Sequence, residues 1–75
     1  MKYKVGDKVR IKVFNELKLG YSPQMVQYQG QIHKISHILE NHEHYEIIFP
    51  KKNNERNNWF YKEEWLEDPV EFEAF

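Results

Sequence analysis

The stretch Trp59–Glu67, Trp-Phe-Tyr-Lys-Glu-Glu-Trp-Leu-Glu, is the densest run of large aromatic residues in the chain, and it restricts what everything upstream can be. Trp59 and Tyr61 stand two apart, so on a strand they share a face, and that face must be covered. Glu63-Glu64 reads as a tight turn before Trp65 and Leu66. In a single domain of 75 residues without a cysteine, neither a disulfide nor a cysteine-held zinc can staple the fold. The 16% of residues that are aromatic must carry the core instead, each burying roughly 150–250 Å².

Upstream, Val5-Gly6-Asp7-Lys8 is a turn signal. It leads into a strand in which Val9, Ile11 and Val13 alternate with Lys8, Arg10 and Lys12, giving one buried and one cationic face. Cations on an exposed strand are commonly a guard against edge pairing, and the same stripe can also serve as a binding surface. From Phe14 to Gln24 the periodicity is lost, which predicts a long loop. Ser22-Pro23 can start a short helical turn through Met25 and Tyr28, with serine as cap and proline at the first helical position, and Gly30 would end it. Ile32, Ile35 and Ile38 recur every third residue; a bulge or bend near Lys34 would turn all three inward on a strongly coiled strand. Asn41 to His44 is a polar hairpin connection to a strand carrying Tyr45, Ile47 and Phe49 inward and Ile48 outward. Pro50 closes that strand, the Asn-rich segment 51–58 is a loop, and Trp59–Lys62 is the next strand.

These strands and turns describe an all-β chain, a small SH3-like barrel of about five strands with a long loop after the first. Several residues also resemble a known group. Val5-Gly6-Asp7-Lys8-Val9-Arg10-Ile11, Met25-x-x-Tyr28-x-Gly30, Ile35, Tyr45 and Trp59-x-Tyr61-x-Glu63-Glu64-Trp65-Leu66-Glu67 are similar to short SH3-like barrel proteins of phages and prophages of Gram-positive bacteria. The resemblance spans residues 4 to 67 and rests on fold-building positions. Trp65 departs from the methionine frequent in that group, and the loop of residues 51–58 is longer than the hairpin expected there. The barrel is expected over residues 1–67; residues 68–75, which the resemblance does not cover, form an acidic tail that can either add a strand or remain free. By analogy of fold alone, the resemblance implies an adaptor.

The net charge of −1 hides an asymmetry: all eleven Lys and Arg lie at or before Lys62 with six acids, while residues 63–75 hold six acids and no base. Such a split either sets an acidic end against a basic face within the fold or offers an acidic tail to a partner. No apolar run is long enough to span a membrane, and the N-terminus lacks a signal-peptide core, so the expected compartment is the cytoplasm.

Chemistry-bearing sets are sparse. Two serines outside any elbow motif, three glycines and turn-borne acid pairs argue against an enzyme. His33, His37, His42 and His44 lack the partners of a known metal site. No cofactor or metal is expected. The expected role is protein binding through Tyr21 and Tyr28, in a groove that also holds Trp59 and Tyr61, or through the acidic residues Glu67, Asp68, Glu71 and Glu73. Trp59 and Tyr61 can equally be core. The acidic set could occupy a basic nucleic-acid channel of a bacterial enzyme, as a host-takeover or anti-defence protein would. The alternative is a nucleic-acid-binding domain using Lys8, Arg10, Lys12, Lys51, Lys52 and Arg56, which the acidic end and a pI near 6.4 oppose.

Overall fold

The structure, a computed structural model, describes residues 1–16, 18–50 and 56–69. Its strands are β1 (Lys8–Ile11), β2 (Ile32–Lys34), β3 (His37–Leu39), β4 (His44–Ile48), β5 (Asn58–Lys62) and β6 (Leu66–Glu67). Short 3₁₀ helices cover Pro23–Tyr28, Glu40–His42 and Glu63–Trp65. The described residues form an all-β fold with only short 3₁₀ turns, and no helix among them is long and apolar enough to cross a membrane. Two antiparallel three-stranded sheets form, in the orders β2-β1-β6 and β3-β4-β5. Among the described residues their ladders do not join into one closed cylinder.

The opening turn is built as the sequence predicts. Gly6 takes φ +91°, a conformation that costs a side chain-bearing residue strain, while the Asp7 N–H donates to the Lys4 carbonyl and the Lys4 N–H to Asp7 Oδ2. Val9 and Ile11 are fully buried, but β1 ends at Ile11 and Val13 is 68% exposed. The strand stops because Ile11 ties off the loop at both of its bonding groups: its N–H donates to the Gln31 carbonyl and its carbonyl accepts from Gly30 N. Within the loop, Ser22 Oγ accepts from Gln24 N, Pro23 takes the first helical position, and the Ser22 N–H donates to Met25 Sδ. Helix and cap are as expected.

The expected bend follows Lys34 and divides one predicted strand into β2 and β3, and β6 after the Glu63-Glu64 turn brings the strands among the described residues to six. At this corner consecutive residues bond to different sheets. Ile35 exchanges bonds with Asp7 and Gly6, whereas the Ser36 N–H donates to Glu46 in β4. The bend comes too late for Ile32. With a period of two, Ile35 and Ile32 take opposite faces, so Ile35 is buried, Ile38 half-buried and Ile32 exposed. The hairpin connection also tightens further than predicted, into a 3₁₀ turn closed by Glu43 at φ 55°.

Between the sheets lies an aromatic core. Tyr21 meets Trp65 edge-on at 5.0 Å and Tyr61 at 6.2 Å, and Phe49 stacks flat on Tyr28 at 3.7 Å. Tyr61 is fully enclosed; burial pushes its phenol far above the usual range, and the Tyr21 and Tyr28 hydroxyls push it the same way.

A polar clamp fixes the N-terminal segment. Glu63 Oε1 accepts from the Lys2 N–H at 2.6 Å and from the Tyr45 hydroxyl at 2.7 Å, and that same hydroxyl accepts from the Tyr3 N–H at 3.0 Å. The Lys2 N–H, then the Tyr45 hydroxyl, holds the Glu63 carboxyl below its ordinary value of 4.5. A carboxyl lowered in the folded state stabilises the fold fully above its unfolded value and loses that contribution as pH falls through the lowered value. Denaturation of wild type and Glu63→Gln from about pH 7 to about pH 3 should therefore show a stability gap that narrows toward acid. A gap that stays constant across that range would contradict the clamp.

Candidate binding groove

On β4 and β5 the inward set is Tyr45, Ile47, Trp59 and Tyr61, so period two turns His44, Glu46, Phe60 and Lys62 outward. The register places His44 opposite Lys62 and Glu46 opposite Phe60. Glu46 is committed within the sheet, since His37 Nδ1 lies 2.8 Å from one oxygen and Asn58 Nδ2 donates to the other at 3.1 Å. His44 and Lys62 instead wall two adjoining hollows.

The first hollow, about 340 Å³, lies between β5 and the long loop and also takes in Gly20, Ser22, Met25, Arg56, Trp59, Phe60 and Trp65. Gly20 at φ +85° turns the loop there. The Arg56 guanidinium sits 4.5 Å from the Trp59 ring centre and the Lys62 ammonium 5.4 Å from that of Trp65, so cations are held over aromatic faces. Its described lining holds no carboxylate. The second hollow, about 540 Å³, adds Met1, His42, Glu43, Glu63 and Glu64. Its sign is mixed to acidic. A groove running through both is therefore electrically polarised, basic and aromatic beside β5 and acidic beside the 3₁₀ turn Glu63–Trp65.

Nucleophilic groups serve the backbone: Ser22 Oγ caps the loop helix and Ser36 Oγ accepts from the Ile48 N–H. His33 contacts Gln31 at 2.8 Å and the Phe49 ring edge-on, with burial lowering its pKa. Among the described residues, no three His, Asp or Glu side chains converge as a metal site would require. The arrangement is suited to holding a ligand by shape and charge.

The residues singled out in the sequence fall in different places. Tyr21 is 5% exposed and belongs to the core, so it offers no surface to a partner; Tyr28 is half-buried under its stack with Phe49. Trp59 and Tyr61 are buried, and of these Trp59 contributes its margin to the groove. Glu67 stands opposite Arg10, and Asp68 lies 3.8 Å from the Lys2 ammonium. Lys8 and Arg10 lie on β1, with Lys12 just beyond its end, whereas Arg56 lines the groove beside β5; the basic set is thus split between two sheets. Glu71, Glu73, Lys51 and Lys52 lie outside the described residues. His44, Phe60 and Lys62 were absent from the expected site, although the alternation that buries Tyr45 and Tyr61 already points them outward.

Set against known protein families, curated proteins and solved structures, the chain matches none.

A core role for Tyr21 makes Tyr21→Ala costly by about 3–5 kcal/mol in urea denaturation, as for other buried aromatics. A change within about 0.5 kcal/mol, typical of a surface site, would contradict the packing.

Proposed function

We propose that this protein is a non-catalytic interaction module, an SH3-like barrel that holds an extended segment of a partner protein in the groove walled by His44 and Lys62. The observation that carries the reading is that two hollows of opposite electrical character share those two residues. The barrel reading is supported by the order of elements: β1, a long loop, the bent pair β2 and β3, the hairpin β4–β5, a 3₁₀ turn, and β6 returning to β1. Grooves between loops are where barrels of that kind take peptides. Glu67 and Asp68 already face basic residues of the fold, which favours the groove over the acidic segment as the contact surface. The resemblance to phage and prophage barrels makes a bacterial host protein the partner, in host takeover or defence evasion. Charge complementarity orders that ligand, with acidic or aromatic side chains toward Arg56 and Lys62 and basic ones toward Glu43 and Glu64.

Nucleic acid is the second reading. What favours it is Lys8 standing directly opposite Lys34 on the outer face of the first sheet.

Affinity capture from a bacterial lysate, with and without nuclease, separates the two. The wild-type chain should retain a nuclease-resistant protein, and Arg56→Glu/Lys62→Glu should weaken its capture at least about tenfold, or ~1.4 kcal/mol. The variant also gives up the two cation–π contacts, so capture is compared at a temperature at which circular dichroism shows both chains fully folded. Equal capture by the variant, or capture abolished by nuclease, would overturn the groove reading.

A further inference from the structure

The second sheet runs β3-β4-β5, so among the described residues β5 has a strand on one side only. Which of its backbone groups look outward follows from the ladder. Residues facing each other across an antiparallel pair alternate between those that exchange hydrogen bonds and those that do not. Phe49 and Asn57 continue the register of the β4–β5 pairs, and the Phe49 N–H donates to the Asn57 carbonyl at 2.7 Å. Counting by two from there, Ile47 with Trp59 and Tyr45 with Tyr61 are the bonded pairs. Asn58, Phe60 and Lys62 therefore turn their backbone N–H and carbonyl groups away from β4. The opposite side of β4 has the same phase: the Glu46 carbonyl accepts from the Ser36 N–H and the Ile48 N–H donates to Ser36 Oγ, both away from β5.

At the open edge the Asn58 carbonyl accepts from Arg56 Nε at 2.9 Å, whereas the Phe60 N–H and carbonyl have no partner among the described residues. The hollow of about 340 Å³ runs along this edge. Trp59 points to the core and Phe60 to the outer face, yet both line it, across from Gly20, Ser22 and Met25 of the loop. Arg56 precedes the strand and Lys62 ends it, and the described lining holds no carboxylate. A free donor and acceptor on one strand residue are matched by another extended backbone. The two cations are matched by acidic side chains. A second copy answers the backbone without the charge, because β5 laid antiparallel on its twin about Phe60 sets Lys62 opposite Asn58.

We infer that the partner segment joins the second sheet as an added antiparallel strand on β5, its central residue exchanging both backbone hydrogen bonds with Phe60. Period two puts the residues two before and two after that one on the same outer face. One lies opposite Lys62 and the other opposite Asn58, beside Arg56, so both are acidic. The central side chain lies beside the Phe60 ring and is aromatic. The ligand is thus a strand of the form acid-x-aromatic-x-acid. This rests on the groove reading and adds that the ligand's main chain is recognised, and not its side chains alone.

The probe is an acetylated and amidated peptide Glu-Val-Tyr-Val-Glu, titrated into the full chain to about 1 mM and followed by amide NMR and hydrogen exchange. In the free chain the Phe60 amide should exchange faster than those of Trp59 and Tyr61, which bond to β4. The peptide should slow the Phe60 amide and leave the other two unchanged. N-methylation of the central tyrosine removes the donor to the Phe60 carbonyl and should weaken binding at least about tenfold. N-methylation of the valine before it, whose N–H faces away from β5, should change affinity by less than about threefold. Binding that survives the tyrosine methyl overturns strand addition and leaves the groove reading in place, and an equal loss from the valine methyl overturns the pairing with Phe60. No binding of the parent peptide also overturns the inference, while the groove reading stands or falls by the lysate capture. A Phe60 amide slowed by protein concentration alone makes a second copy the occupant and overturns it as well.

Discussion

Tyr21 packed edge-on against Trp65 and Tyr61 is the contact on which the remaining architecture depends. It carries a side chain from the middle of the long loop into the space between the sheets, where β5 and the 3₁₀ turn before β6 both touch it. A connection of this length would otherwise be costly to order. Its ends are fixed by Ile11, whose N–H and carbonyl bond to Gln31 and Gly30, and its middle by the Tyr21 ring and the Ser22 cap. One wall of the groove, Gly20 to Met25, is therefore built from backbone that the core itself holds in place.

The second constraint is the corner at Ile35 and Ser36. Because these two residues bond to opposite sheets, β2 and β3 cannot slide independently, and the first sheet is joined to the second through covalent chain as well as packing. Glu63 closes the other end. It gathers the Lys2 and Tyr45 donors onto one carboxylate oxygen, while the Trp65 carbonyl accepts from the Lys12 N–H, so the 3₁₀ turn binds the start of the chain, the second sheet and the exit of β1. Those contacts also fix the acidic side of the groove, since Glu63 lines it while holding the fold together.

Much of the fold was legible because alternation is a backbone property. Tyr45, Ile47 and Phe49, and Trp59 with Tyr61, went inward as their period required, and Ser22-Pro23 started its helix as its chemistry required. Two expectations failed where tertiary bonding overrode local pattern. Val13 continues the alternation of β1, yet hydrogen bonds from Ile11 to the far end of the loop end the strand first. Ile32 shares a spacing with Ile35 and Ile38, yet the corner that could have gathered them lies beyond Ile35. The candidate site was less legible than the core. In the sequence Tyr21 reads as a surface aromatic, yet the core claims it, whereas the groove is made by residues brought together through register, His44 beside Lys62, and by a cation laid over Trp59. Register of that kind depends on where a hairpin turns, and the Asn-rich connection between β4 and β5 does not announce it.

The central claim is that the groove is preformed because the core pins the loop that walls it. Backbone ¹⁵N relaxation across residues 18–28 tests this most directly. Order parameters near those of β4 and β5, about 0.85, are what the account predicts. Values below about 0.6 through Gly20–Met25 would contradict it, since a wall that moves on that scale cannot present a fixed polarised groove.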